Sequence, residues 1–224
     1  PYSAEELQEI RAHRVLCPVR TVSGTSKMTY KPETEQEFKV ALWDFGAKGN
    51  ILQELLDRGC EVTVFPQDST AEEIAAYSPD GIMLSNGPGD PEENPEIIRE
   101  LAKLCEKKIP TFGICLGHQL LALSQGAKTS KLKYGHRGAN QPVEDLTTGR
   151  IYVTSQNHGY MVDADTLPAG AKLRFVNAND GTCEGVSYDT MPAFSVQFHP
   201  EACPGPWDAR WLFGEFTEMM RREK

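Results

Sequence analysis

The sequence has no uninterrupted apolar run of the ~18 residues that a helix needs to cross a bilayer. Its longest apolar patch, Phe112 to Leu123, is broken by Gly113, Gly117, His118 and Gln119. Basic residues are in short supply: 23 Lys and Arg stand against 32 Asp and Glu, a formal net charge of −9. A surface of that sign repels polyphosphate and anionic lipid, so neither nucleic acid nor membrane is an expected partner. The six cysteines, Cys17, Cys60, Cys105, Cys115, Cys183 and Cys203, include no CxxC pair and form no dense framework. That excludes a zinc ribbon or a disulfide scaffold and points to a reducing cytoplasm. Internal repeats and low-complexity runs are also missing. The chain opens Pro1-Tyr2 rather than with methionine, so its lack of a targeting peptide carries little weight.

What is there fits one large domain, at ~150 residues per domain, plus a short appendage. Residues 1–37 read as that appendage, or as the remnant of a preceding domain or linker. They hold a polar helix over Glu5 to Val15 and a Ser/Thr/Lys/Glu-rich stretch to Glu37. From 38 to 224 a regular alternation begins. Phe38 to Trp43, Glu61 to Phe65, Gly81 to Ser85 and Ile109 to Ile114 are strand-like. Helices are expected from Asn50 to Arg58, after the overlapping Ser69/Thr70 capping boxes, from Asn94-Pro95-Glu96, and from Cys115. Strand–helix repeated four times marks a parallel, doubly wound sheet, whose ligands sit beyond the carboxyl ends of the strands. After Gly126 short β segments follow, at 128–133, 151–155, 172–176, 185–188 and 193–198. A last amphipathic helix from Asp208 is expected to bury Leu212, Phe216, Met219 and Met220.

Three motifs carry chemistry. Gly113-Ile114-Cys115-Leu116-Gly117 sets a cysteine between glycines at a strand-to-helix junction, the arrangement of a nucleophile elbow. The helix N-terminus there favours a thiolate and offers N–H groups to an oxyanion. An arbitrary cysteine is most often buried and inert; the elbow reverses that reading. Ser195 to Glu201 places His199-Pro200-Glu201 at the end of a strand. Pro200 holds His199 extended, so His199 and Glu201 point the same way and the carboxylate can orient the imidazole. Alone, that tripeptide reads as a solvated loop; with the elbow it reads as base and orienter. Ser85-Asn86-Gly87-Pro88-Gly89-Asp90-Pro91 is a rigid turn with free N–H groups, suited to an oxyanion or carboxylate. It lacks the lysine and Ser/Thr of a phosphate loop.

Gly113 to Gln119 together with His199 to Glu201 resembles the class I glutamine amidotransferases. Residues 44–50, 85–91, 135–142, 156–160 and 201–206 narrow the likeness to the small subunits of carbamoyl-phosphate synthetases, over roughly residues 38–222. The resemblance implies an α/β fold: a flavodoxin-like three-layer sandwich with a mainly parallel central sheet and β-rich additions in its second half. It implies hydrolysis of the side-chain amide of L-glutamine to glutamate and ammonia through a cysteinyl thioester. Cys115 would be nucleophile, His199 base and acid, and Glu201 the orienting carboxylate. The N–H groups of Leu116 and Gly89 would hold the oxyanion, with Gly87 and Gly89 lining the site. Gln119, Asn157, Gly159 and Tyr160 would hold the amino-acid end of glutamine. No metal or organic cofactor is implied in this chain; ATP and bicarbonate would be used by the large subunit, which would receive the ammonia. An amidotransferase serving another synthase, such as a chorismate-using one, and a related thiol hydrolase are the alternatives. His118 and His158 are expected to pack and to orient their loop. His136 and Arg137 are expected on a Gly-rich loop facing a partner or solvent. Cys203 is expected to be small and packed, and Trp207 and Trp211 to be core or interface. Lys48 and Asn50 belong to the matching stretch without a derivable role.

Overall fold

The structure, a computed structural model, describes residues 2–12 and 16–224. Its centre is built from strands that are apolar on both faces. β2 (Phe38–Trp43) buries every residue but Lys39. Such runs belong in a parallel sheet covered by helices on both sides. The alternation continues through α3 (Gly49–Leu56), β3 (Cys60–Phe65), α4 (Ala71–Ala76), β4 (Gly81–Leu84), α5 (Pro95–Cys105), β5 (Thr111–Ile114) and α6 (Leu116–Ser124). Then come β6 (Thr129–Asp145), β7 (Arg150–Val162), β8 (Ala171–Asn177), β9 (Cys183–Tyr188), β10 (Ala193–Val196) and α7 (Trp211–Glu223). Before β2 lie α1 (Ala4–Ala12), α2 (Pro18–Val22) and β1 (Met28–Tyr30).

Among the described residues, ten strands join one sheet in the order β1-β3-β2-β4-β5-β10-β9-β8-β6-β7. β3, β2, β4, β5 and β10 are mutually parallel, and β9, β8, β6 and β7 extend the sheet antiparallel from β10. The β-rich second half therefore continues the same sheet. Alternate residues of β2 serve opposite faces, as strand geometry requires. Trp43 packs under α4, α5 and α6 with Ile74, Leu101 and Leu120, while Leu42 packs under α3 and α7 with Leu55, Phe213 and Phe216. Two cores flank one sheet, the three-layer sandwich.

Several boundaries differ from expectation. The polar helix ends at Ala12 with no buried residue, and residues 13–15 of its expected span lie outside the described ones. Thr70, not Ser69, is the cap of α4, with Glu73 closing the box. Asn94 precedes α5 but does not cap it; its Nδ2 donates back to the carbonyls of Asp90 and Pro91. α7 starts at Trp211 and buries Phe213 as well, while Met219 is only partly buried. Trp207 is 60% exposed and Trp211 lies beside Arg174 and Tyr152, so neither is core. Within residues 1–37, β1 pairs antiparallel with β3, and Pro18 and Val19 are buried.

Candidate active site

β5 ends at Ile114 and α6 begins at Leu116, which leaves Cys115 alone to turn the chain. It does so at φ 54, ψ −104, a sparsely populated state that costs about 1–3 kcal/mol and persists only where the surroundings impose it. They do so here. Cys115 N donates to Val196 O at 2.8 Å and Gly117 N to Ser85 O at 3.0 Å. The glycines are needed for close approach: a Cβ on Gly113 would stand 2.8 Å from Gly117 O, and one on Gly117 would strike the Leu84 carbonyl. Leu116 opens α6, so its N–H has no partner within the helix.

β10 delivers the second group to the same end of the sheet. His199 N donates to Ser155 O at 2.9 Å, and His199 Nδ1 meets Glu201 Oε1 at 2.7 Å. A carboxylate only accepts, so Nδ1 carries hydrogen and Nε2 is left for Cys115. All three side chains are 5% exposed or less. Burial alone would pull the His199 pKa down; the charge and hydrogen bond of Cys115, and then Glu201, outweigh it and raise it from 6.5 to about 10. Burial would likewise push Glu201 up, but His199 and Lys48 hold it below the usual carboxylate range.

Two residues for which the sequence alone offers no role find one here. Lys48 Nζ lies 3.6 Å from Glu201 Oε1, and Asn50 Nδ2 donates to Glu201 O at 3.1 Å. They sit about 150 positions away in sequence, and nothing local links them to the triad. The loop after β2 is laced to the 85–91 loop. Phe45 N donates to Ser85 Oγ, Lys48 N donates to Asn86 Oδ1, and Asn86 Nδ2 donates to Gly46 O. Gly87 lies against Phe45 and Leu116, where a Cβ would be 2.6 Å from Leu116 Cδ2.

The expected glutamine-binding residues are placed unevenly. Gln119 is buried, and its Nε2 donates to Tyr160 O at 2.9 Å and to Gln197 Oε1 at 2.8 Å. Gln119 thus ties α6 to the strand carrying Tyr160. Gly159 and Tyr160 are half-buried on β7, and Asn157 is exposed there, across from Arg137 on β6. His118 is packed as expected: it meets Ser195 Oγ at 2.8 Å, and burial first, then His158, lowers its pKa to about 3. Cys203 departs from expectation. It is exposed and lines a cavity of about 430 Å³ with Lys48, Asn50 and Glu201.

His136 also departs from expectation. It lies in β6, half-buried, with Nδ1 3.2 Å from Glu184 Oε1 and Nε2 2.9 Å from Asp180 Oδ2. Glu184 is fully buried and takes further hydrogen bonds from Gln156 and Asn177. Gln156 meets His158, which meets Tyr160 O at 2.7 Å. Glu184 is absent from the residues singled out in the sequence; its one signal there is an acidic residue in an otherwise apolar strand segment. His136, His158 and Glu184 bring ligand-type atoms within 4.8 Å. Every ring nitrogen there already has a hydrogen-bond partner, so the cluster reads as a brace for β7.

That brace has a pH signature. The Glu184 hydrogen bond is the main cause lifting the His136 pKa from 6.5 to about 9. A raised histidine pKa contributes stability that is fully present below 6.5 and is lost as pH rises through about 9. The Tm difference between the unsubstituted chain and His136→Asn is therefore expected to be largest at pH 6 and to shrink by pH 9.5; a constant difference would refute the ion pair.

Comparison with known proteins places this geometry. The family model for class-I glutamine amidotransferases matches residues 41–219. The chain belongs to that family. Among curated relatives, the carbamoyl phosphate synthase small chain of Staphylococcus epidermidis is 54% identical over 205 residues, covering 91% of this chain and 56% of the relative. That of Akkermansia muciniphila is 52% identical over 197 residues, covering 88% and 53%. The chain thus spans about half the length of the curated relatives it matches. A crystal structure from Thermoplasma acidophilum, described as a GMP synthase component, superposes with TM-score 0.74 at 23% identity, over 85% of this chain and 97% of that one; it attests the fold. Among the described residues, no helix is long and apolar enough to cross a membrane.

Proposed function

We propose that this chain is the glutamine-hydrolysing part of a carbamoyl phosphate synthase small chain, acting in the cytoplasm and passing ammonia to a large subunit. Residues 38–224 form the amidotransferase domain. The observation that carries the reading is the strained Cys115 facing a His199 that Glu201 holds by a 2.7 Å bond. The curated names of relatives at 52% and 54% identity supply the choice of synthase.

In this mechanism Cys115 gives its proton to His199 Nε2 and its sulfur attacks the side-chain amide carbon of glutamine. The N–H groups of Leu116 and Gly89 receive the oxyanion, with Gly87 lining the approach. The imidazolium hands its proton to the departing nitrogen, ammonia leaves, and a γ-glutamyl thioester remains. His199 then draws a proton from water, which attacks the thioester and frees glutamate. Gln119, Asn157, Gly159 and Tyr160 hold the amino-acid end of the substrate.

The test mixes this chain with a purified large subunit, ATP, bicarbonate and glutamine. Carbamoyl phosphate formed with glutamine as nitrogen source, and lost when the chain is left out, is the expected result. Glutamine hydrolysis with no transfer to the large subunit would contradict the choice of synthase.

A further inference from the structure

Gly89 carries one of the two N–H groups assigned to the oxyanion, and it stands at φ +95, a state that side chains rarely adopt. A glycine loop of this kind has many conformations open to it, so something must hold it. The ring of Pro18 sits on it. A Cβ built on Gly89 would collide with Pro18 Cγ and lie 3.4 Å from Cδ. Pro18 is buried at the start of α2. One turn on, Val22 Cγ2 lies 2.7 Å from the point where a Cβ on Gly46 would stand, and Pro88 Cδ lies 3.3 Å from that point. Val22, Gly46 and Pro88 therefore meet at one spot beside Gly89. α2 is itself anchored. Val19 is 1% exposed, Gln67 N donates to Ser23 Oγ at 3.0 Å, and Gly24 N donates to Asp44 Oδ2 at 2.7 Å. All of these α2 contacts come from residues that precede the span matched by the family model.

We infer that Pro18 is a positioning residue for glutamine hydrolysis: α2 clamps the 86–91 loop through the Pro18 ring and so aims the Gly89 N–H at the developing oxyanion. The inference rests on the proposed oxyanion role of Gly89. An N–H that meets charge only in the tetrahedral state affects kcat and leaves KM nearly unchanged.

The experiment uses this chain with Pro18→Ala, which removes Cγ and Cδ, and with Arg20→Ala on the exposed side of α2 as control. Pro18→Ala is expected to lower kcat about 10- to 100-fold, with KM within about twofold, because small misplacements of an oxyanion donor cost that much. Arg20→Ala is expected to change neither. Alkylation of Cys115 by iodoacetamide forms no oxyanion, so its rate in Pro18→Ala is expected to equal that of the unsubstituted chain; slowed alkylation would show a disturbed triad and overturn the inference. Hydrogen exchange across residues 86–91 needs no catalysis. It is expected to quicken about tenfold in Pro18→Ala, and unchanged exchange would overturn the clamp. Cys115→Ser and the unsubstituted chain separate the claims: turnover lost in Cys115→Ser but intact in Pro18→Ala refutes the clamp alone, turnover surviving in Cys115→Ser refutes Cys115 as the nucleophile, and no glutamine turnover in the unsubstituted chain refutes the glutaminase reading.

Discussion

Cys115→Ser is expected to lose glutamine hydrolysis to below detection, a drop on the order of 10⁶, the size seen when a hydrolase loses its nucleophile. The fold should not follow. Serine is slightly smaller, and the elbow is held by backbone bonds from Cys115 and Gly117 that the substitution leaves in place. Tm is expected to move by only a few degrees, the usual scale for a change that opens no large cavity. Glutamate release measured against a folded-state Tm separates the chemical loss from a structural one. Near-normal turnover in a folded variant would mean that the elbow is only a turn.

The second large effect divides His199 from Glu201. His199→Asn removes the group proposed to move every proton in the cycle, and a loss as deep as that of Cys115→Ser is expected. Glu201→Gln is expected to keep a measurable remainder, about 10²-fold or more above the His199 variant. The reason is visible in the pair. Glu201 Oε1 accepts from His199 Nδ1, while Oε2 is buried with no hydrogen-bond partner among the described residues. A glutamine at 201 can keep its oxygen on His199 Nδ1 and place its amide nitrogen where Oε2 stands, so the tautomer survives although the charge is gone. The loss then comes from a weakened imidazolium, and the upper limb of the kcat–pH profile is expected to shift down. Equal and total loss from both substitutions would show that Glu201 does more than orient.

The parts of this molecule that are legible in its sequence are those where local pattern and long-range packing agree. Phe38 to Trp43 is mostly apolar because both faces of β2 are covered, and positions 113 and 117 are glycine because backbone passes too close for a Cβ at either. The triad motifs announce themselves for the same reason: the strained turn and the His-Pro-Glu run each need particular residues in place. β6 reads in sequence as a short strand and a Gly-rich loop. Gly135 and Gly138 interrupt any alternation, and the ladder with β7 absorbs them through two register shifts. Once β6 is a strand, His136 is carried between Asp180 and Glu184, a burial that a loop does not imply. Lys48, Asn50 and Pro18 act on partners far away in sequence, and only the folded sheet brings them there.

The proposed chemistry passes through a covalent γ-glutamyl thioester on Cys115. Acid quenching of the chain during turnover with glutamine, followed by intact and peptide mass analysis, tests it directly. The expected product is a single adduct with the mass of glutamine less ammonia, confined to the peptide containing Cys115 and absent from Cys115→Ser. An adduct of that mass on Cys60, Cys105 or any other cysteine, or glutamate release with no adduct at any time during turnover, would rule out Cys115 as the nucleophile.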